Sequence, residues 1–116
     1  MISKPILAVL VTTLVLTACD GGDEPPDPCR DPVPTTSVEL ADFAFRPNCL
    51  SADEGATITL ENTGDVLHTF TIEGTDIDFE LDAGTSADAS LSGLGPGRYS
   101  VTCTLHPQME ATLTVG

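Results

Sequence analysis

The sequence predicts an all-β protein, an antiparallel β-sandwich. From residue 37 onward, short stretches alternate apolar and polar residues, which is the two-residue period of half-buried strands. Gly, Pro, Asn and Asp cluster between these stretches at the spacing that is typical of a sandwich. No stretch shows the apolar period of an amphipathic helix. The 116 residues are enough for one domain with a modest core.

Residues 1–18 are predicted to be an export signal. Lys4 precedes an apolar run over residues 6–16 that is too short to span a bilayer comfortably. The run ends in Leu-Thr-Ala-Cys at residues 16–19, which resembles the lipobox of bacterial lipoproteins. That resemblance implies cleavage before Cys19 and a lipid anchor on Cys19, at the outer face of the cytoplasmic membrane or facing the periplasm. An ordinary secretory signal followed by a chance cysteine is the alternative.

Residues 19–36 are predicted to be a semi-rigid tether, because prolines lie there among Gly and acidic residues without any hydrophobic period. The folded domain is then residues 37–116. Of the four cysteines, Cys19 ends the leader and Cys103 lies among other metal-type donors, which leaves Cys29 and Cys49. We predict one disulfide between these two. Such a bridge requires an oxidising compartment and would attach the tether to the domain.

The first half of the domain contains three predicted strands. In the first, Val38 and Leu40 are followed by Phe43 and Phe45, and the change of phase at residues 41–42 predicts a bulge. The next elements are a turn at residues 47–48, a strand around Ile58 and Leu60, a turn at residues 62–65, and a strand with His68, Phe70 and Ile72 on one face.

The second half begins with a strand that carries an acidic stripe. Residues 76–82 alternate strictly, with apolar side chains inward and Asp76, Asp78, Glu80 and Asp82 outward. The stripe is either a docking edge for a basic partner or, as we favour, a charged edge that opposes aggregation. Further predicted elements are a strand over residues 87–91, a turn at 93–97, a strand ending at Cys103 and a last strand at 110–115.

Between the last two strands, Cys103, His106 and Met109 recur at intervals of three residues. Pro107 excludes a helix there, so the three donors lie on a loop. A thiolate, an imidazole and a weak thioether are components of a blue-copper centre, which also needs a second imidazole. His68 is the only other histidine. We therefore predict one type 1 copper ion bound by these four side chains.

Other uses of these donors fit less well. Structural zinc usually takes Cys and His without Met. Haem attachment lacks its Cys-x2-Cys-His signature. A disulfide on Cys103 would leave the spacing of its companions without a reason.

With these residues in place, the chain from about residue 37 to 115 resembles the cupredoxins, the plastocyanin and azurin class of type 1 copper proteins. The matching features are Asp-Phe-Ala-Phe-Arg-Pro at residues 42–47, Asn-Thr-Gly-Asp at 62–65, and the ligand loop, whose spacing is similar to that of amicyanin. The resemblance implies a Greek-key sandwich with His68, Cys103 and His106 as a trigonal ligand set and Met109 as the weak axial ligand.

Residues around the ligands have predicted roles as well. The backbone N–H groups of Thr69 and Leu105 are expected to donate to the Cys103 sulfur, which stabilises the thiolate. A hydroxyl contact from Thr69 toward Thr104 would then fasten the loop. The ring edge of His106 is expected at the surface among Leu67, Leu105 and Pro107, with Leu94 or Pro96 as further neighbours. This uncharged patch is the predicted electron port.

Charge and histidine count restrict the function. With 18 acidic and 4 basic residues the net charge is −14, which excludes nucleic acid as a partner and polybasic lipid binding. A redox protein with a basic docking surface remains compatible, and so does acidity that serves only solubility. Two histidines cannot build a multi-copper oxidase cluster, so we predict a monomeric, membrane-tethered electron carrier and not an enzyme.

Two other functions remain as alternatives. Proteins for copper delivery or buffering usually offer exposed Met or His clusters, whereas Met109 is the only methionine after the leader. A metal-free interaction module would leave the complete ligand set without a use.

Overall fold

The computed structural model describes residues 25–116, so the predicted leader and the predicted lipid anchor Cys19 lie outside the described part. The described strands are β1 (Val33–Pro34), β2 (Ser37–Ala41), β3 (Ala44–Arg46), β4 (Cys49–Ala52), β5 (Thr57–Asn62), β6 (His68–Ile72), β7 (Asp78–Leu81), β8 (Ser86–Ser90), β9 (Gly97–Cys103) and β10 (His106–Val115). Among residues 25–116, no helix is long and apolar enough to cross a membrane.

The strands form two sheets, which confirms the predicted all-β sandwich. One sheet has the order β1-β4-β10-β9-β6-β7 and the other has the order β3-β2-β5-β8. Their inner faces carry the alternating apolar residues, as in β5, where Ile58 and Leu60 are buried and the polar residues beside them are exposed. Phe45 of the smaller sheet meets Phe70 of the larger one edge to face, with ring centroids 5.9 Å apart.

The pairing of the strands is mixed and not wholly antiparallel as predicted. Three described pairs are parallel: β1 with β4, β4 with β10, and β2 with β5. After the β2–β3 hairpin, the chain crosses to the larger sheet as β4 and returns as β5, which therefore lies beside β2 in the same direction. The alternation of side chains determines which face is buried but says nothing about the direction of a neighbour.

The paired region begins earlier than the predicted domain boundary at residue 37. Val33 and Pro34 pair with β4, and the Thr35 N–H donates to the Ser51 carbonyl at 2.8 Å. A disulfide joins Cys29 to Cys49, with an S–S distance of 2.04 Å. The last part of the predicted tether is thus an edge strand of the larger sheet. Without it, β4 would expose a row of unpaired backbone N–H and C=O groups, and a strand that contains proline can pair with them at an edge.

The predicted bulge at residues 41–42 is wrong. Ala41 pairs with Ala44 in a hairpin, so Asp42 and Phe43 are its two turn residues. Phe43 has a φ of 65° and its side chain is 53% exposed. A tight turn needs a residue in the left-handed region, and here that requirement outweighs the apolar pattern.

Candidate metal centre

Three donor atoms converge at one end of the sandwich. Cys103 Sγ lies 3.4 Å from His106 Nδ1 and 4.0 Å from His68 Nδ1, and all three donors fall within 4.8 Å of one another. Donors that share one ion at about 2.0–2.3 Å each are at most about 4.6 Å apart, and both distances from Cys103 Sγ fall within that limit. His68 and Cys103 are buried, whereas His106 is partly exposed.

The donors come from three strand ends. His68 is the first residue of β6, Cys103 the last of β9 and His106 the first of β10. Cys103 pairs with His106 across a two-residue connection, and the register of β9 and β10 then shifts between His106 and Glu110. Met109 lies in this irregular stretch with none of its surface exposed. Met109 is in phase with the buried Ala111 and Leu113 of β10, so the alternation of this strand turns the fourth predicted ligand away from the solvent.

The chemistry of this donor set fits copper. Among residues 25–116, Cys103 is the only cysteine outside a disulfide, and it is buried beside two imidazoles. The nearest donors include no carboxylate, so hard cations such as Mg²⁺ or Ca²⁺ have no suitable ligands. A thiolate with two imidazoles and a buried thioether is the soft set that copper prefers.

One backbone amide stabilises the sulfur. The Thr69 N–H donates to Cys103 Sγ at 3.3 Å. The second amide expected from the sequence, that of Leu105, makes no hydrogen bond to Sγ in the described part of the chain. Leu105 lies in the short connection between the paired Cys103 and His106, and its side chain is 50% exposed. The structure therefore gives Leu105 a surface position and leaves the sulfur with a single N–H donor.

The Thr69 hydroxyl fastens the ligand loop to β6. It accepts a hydrogen bond from the Thr104 N–H at 2.8 Å and lies 3.3 Å from the Thr104 hydroxyl. It also lies 3.2 Å from the hydroxyl of Thr71, which donates to Asp78. Because the Thr71 proton is used on Asp78, Thr71 accepts from Thr69. The chain of hydroxyls has a single direction and connects the loop to the neighbouring strand β7.

Two residues at the site were not recognised from the sequence. The Asp42 carboxylate lies 3.0 Å from His68 Nε2 and accepts the Asp65 N–H with both oxygens, at 3.1 and 3.2 Å. The Asp65 amide, followed by His68, lowers the pKa of Asp42 below its ordinary value of 3.8. The Phe43 ring lies edge-on to His106, with centroids 5.1 Å apart.

A signal for these two residues was present, since Asp42 and Phe43 open the stretch at residues 42–47 that matches the cupredoxins. Their contact with the ligands depends on a turn of the smaller sheet that reaches the donors of the larger one. A strand pattern does not reveal such a contact.

The segment between β5 and β6 is held by Asn62. Its side-chain amide donates to the carbonyls of Val66 and Leu81, both at 2.9 Å, and its oxygen accepts the Gly64 N–H at 2.9 Å. Asn62 is buried, so these bonds satisfy an amide that would otherwise be costly to bury. Asn62 thus bonds two residues of the turn that precedes His68 and connects this turn to β7.

The surface beside His106 is apolar. Of the residues assigned to the predicted electron port, Leu105 and Pro107 are exposed and Leu67 is half-buried. Phe43, whose ring contacts His106, is 53% exposed, and Val66, two residues before His68, is 42% exposed. We call these five residues the port patch.

Leu94 and Pro96, the further neighbours proposed for His106, lie elsewhere. Leu94 lines a groove with Tyr99 and the turn at residues 74–77. Pro96 directly precedes Gly97, where β9 begins, and Cys103 is at the other end of that strand. Both predictions are therefore wrong, because the length of β9 separates these residues from the donors.

Comparison with known proteins identifies the family of the domain. The family model described as a cupredoxin-like domain matches residues 6–115. Cytochrome c oxidase subunit 2 of Thermus thermophilus is 32% identical over 79 residues, which are 63% of this chain and 58% of that protein. Methylamine utilization protein MauL of Methylophilus methylotrophus is 25% identical over 113 residues, 92% of this chain and 65% of that protein. The chain thus spans less than two thirds of these relatives.

Solved structures support the same fold. The purple cupredoxin of Nitrosopumilus maritimus has a TM-score of 0.61 at 18% identity, covering 70% of this chain and 99% of that one. An amicyanin variant has a TM-score of 0.60 at 19% identity, covering 71% of this chain and 82% of that one. The family match and the donor set together confirm the predicted cofactor: His68, Cys103, His106 and Met109 form a type 1 copper ligand set.

Proposed function

Because the chain belongs to the cupredoxin-like family and carries a type 1 copper ligand set, we propose that it passes single electrons between redox proteins outside the cytoplasm. We also propose that a lipid on Cys19 holds it at a membrane. We further propose that it catalyses no reaction of its own. The observation that carries the proposal is the convergence of Cys103, His68 and His106 at a buried point within reach of the surface.

The protein supplies rigidity to this site. Bound copper contributes a one-electron couple between Cu(II) and Cu(I). His68 and Cys103 lie in paired strands, and the Thr69 hydroxyl fastens the loop that carries His106. Donors held in this way keep their positions in both oxidation states, so that little reorganisation accompanies electron transfer.

The port patch supports transfer through His106. Its ring is partly exposed, and the five residues of the port patch are uncharged, so a partner can cover them without burying an unpaired charge. Elsewhere the chain is strongly acidic, with a net charge of −14. We therefore propose a partner with an apolar contact surface and basic residues around it, whose approach the charge of this protein accelerates.

The extracytoplasmic location rests on the Cys29–Cys49 disulfide, since such bonds persist in oxidising compartments. The predicted leader and the lipid anchor at Cys19 agree with that location and remain proposals. One relative is by name a subunit of cytochrome c oxidase, but the chain spans only 58% of it. Copper delivery is the alternative function. Burial of the Cys103 thiolate favours retention of copper and hence electron transfer.

A visible spectrum of the protein loaded with Cu(II) tests the proposal. We expect an intense blue or purple colour from thiolate-to-copper charge transfer, together with reversible one-electron voltammetry. Cys103→Ser should lose the colour. The matched control is the double variant Cys29→Ser/Cys49→Ser, which removes the other two described cysteines and should keep the colour. Rapid release of copper to a chelator would favour delivery, and a colourless loaded protein would contradict the proposal.

A further inference from the structure

We propose that Asp42 is a positioning residue that lowers the reduction potential of the bound copper by fixing the His68 ring and by placing a negative charge behind it. The inference rests on the proposed copper site and extends it to a residue of the opposite sheet. His68 is completely buried, whereas the Asp42 side chain is 35% exposed. The carboxylate is therefore the polar contact between a buried ring and the solvent.

The hydrogen-bond partners determine which ring nitrogen of His68 is free. Asp42 Oδ1 lies 3.0 Å from Nε2, and an ionised carboxylate only accepts hydrogen bonds, so Nε2 must carry the proton. Nδ1 is then unprotonated and faces Cys103 Sγ at 4.0 Å. A metal ligand needs this lone pair, and the carboxylate selects the tautomer that presents it.

The carboxylate is itself held in place. The Asp65 N–H donates to both of its oxygens, at 3.1 and 3.2 Å. Gly64 makes room for the contact: a Cβ at that position would lie 2.8 Å from His68 Nε2 and closer still to Asp42 Oδ1. Glycine is required here for close approach, since the space that a side chain would occupy is taken by the Asp42–His68 pair.

The two histidine ligands differ in this respect. His68 has an anionic partner, whereas His106 has the edge of the Phe43 ring. A carboxylate hydrogen-bonded to an imidazole makes the other nitrogen a stronger donor. It also stabilises the more positive of two metal charges. Both effects favour Cu(II) over Cu(I), so Asp42 lowers the reduction potential.

The main experiment compares Asp42→Asn with Glu80→Gln in the full protein. Asp42→Asn keeps the shape of the side chain and removes its charge. Removal of a partner of this kind lowers metal affinity by about 10- to 100-fold. We expect the loss to be at least about tenfold greater for Cu(II) than for Cu(I), which corresponds to a rise in midpoint potential of about 59 mV.

Glu80→Gln is the matched control for charge alone. Glu80 is exposed on β7 and pairs with Thr69, the residue after His68, but it makes no described contact with a ligand. Its removal should raise the potential by much less than that of Asp42. Equal shifts in the two variants would overturn the proposal, because they would assign the effect to net charge and not to the contact.

Gly64→Ala separates the contact from the charge. The added methyl group should displace the carboxylate from His68 while the charge remains nearby. We expect a rise in potential here too, whereas an unchanged potential in Gly64→Ala would contradict positioning by the hydrogen bond. Circular dichroism of each variant identifies any that fails to fold, and Asp42→Ala replaces Asp42→Asn if that variant does not fold.

A readout on the metal-free protein makes the test independent of copper. Nitrogen NMR of the His68 ring should show the Nε2-protonated tautomer in the original protein and a mixture of tautomers in Asp42→Asn. The same single tautomer in both proteins would overturn the role of Asp42. A protein that shows the expected tautomers but never gives a blue or purple copper form would contradict the proposed function and leave the positioning role intact.

Discussion

Two regions of the molecule hold distant parts of the chain together by different means. At the copper end, which comprises the turn at residues 42–43, the start of β6 and the loop at 103–109, the ties are hydrogen bonds directed at donor-bearing groups. At the N-terminal edge, which comprises residues 27–36, β4 and Arg98, the ties are a disulfide and an exposed ion pair. The first kind orients atoms, and the second kind connects segments.

The difference shows how this small domain separates stability from function. A covalent link restricts the unfolded chain and requires little of the orientation of nearby side chains. A hydrogen bond to a metal ligand contributes little net free energy but fixes a tautomer or a sulfur position. Variants at the N-terminal edge should therefore change the free energy of unfolding and spare the copper spectrum. Variants at the copper end should change the copper spectrum clearly and the free energy of unfolding only slightly.

The largest expected effect is on stability, from the double variant Cys29→Ser/Cys49→Ser. The bridge closes a loop with a sequence separation of 20 residues, which is worth about 3 kcal/mol in the chain-entropy description. We expect a loss of that order in urea unfolding of the metal-free domain, with an unchanged visible spectrum of the copper form. An altered spectrum would show that the two regions are coupled and would break the comparison.

The next effect is at the copper end, from Thr69→Val. Valine keeps the shape but removes the acceptor of the Thr104 N–H, and an amide left without a partner costs about 1–3 kcal/mol when buried. Since Thr104 is exposed, we expect the lower end of that range. The copper spectrum should change, because the loop loses its attachment to β6. Thr69→Ser keeps the hydroxyl and should show the original spectrum. If the altered spectrum of Thr69→Val came only from a general loss of stability, the serine variant would not be expected to differ from it in this way.

The sequence was sufficient for some of these features and not for others. The ligand loop was predicted because Cys103, His106 and Met109 carry their chemistry in their own spacing. The positions of Ile58 and Leu60 followed from a local period of two residues. The parallel pairing of β2 with β5 could not be predicted in this way, because it arises from the crossing of the chain to the larger sheet as β4 and its return to the smaller sheet as β5.

The contact of Asp42 with His68 escaped prediction for the same reason. It joins residues 26 positions apart through a hairpin turn of the other sheet. The change of phase at residues 41–42 predicted a bulge, but these residues enter a hairpin turn whose left-handed backbone places Phe43 on the surface. The Asp42–His68 contact and the surface position of Phe43 both depend on this one turn, which the alternation of apolar residues does not describe.

A smaller effect on stability is expected from Phe43→Gly. Glycine removes the ring from the port patch but also relieves a φ of 65°, which costs a bulky residue about 1–2 kcal/mol. The lost contacts with His106 offset that gain, so the free energy of unfolding should change by less than about 1 kcal/mol. Oxidation of the reduced protein by a small anionic oxidant should become faster, because His106 is less covered. Phe43→Tyr keeps the ring and should retain the original rate.

The smallest effect concerns the ion pair at the N-terminal edge. Hydrogen bonds from Arg98, and then from the Cys29 amide, lower the pKa of Asp27 from 3.8 to about 2. Because the folded-state pKa is the lower one, the pair stabilises the fold fully above about pH 4, and this contribution disappears as the pH falls through about 2. Both side chains are exposed, so the stabilisation is small. Asp27→Asn should therefore slightly reduce the dependence of thermal stability on pH between about 4 and 2. Its copper spectrum at neutral pH should equal that of the original protein, and a shifted spectrum would mean that the edge takes part in orienting the ligands.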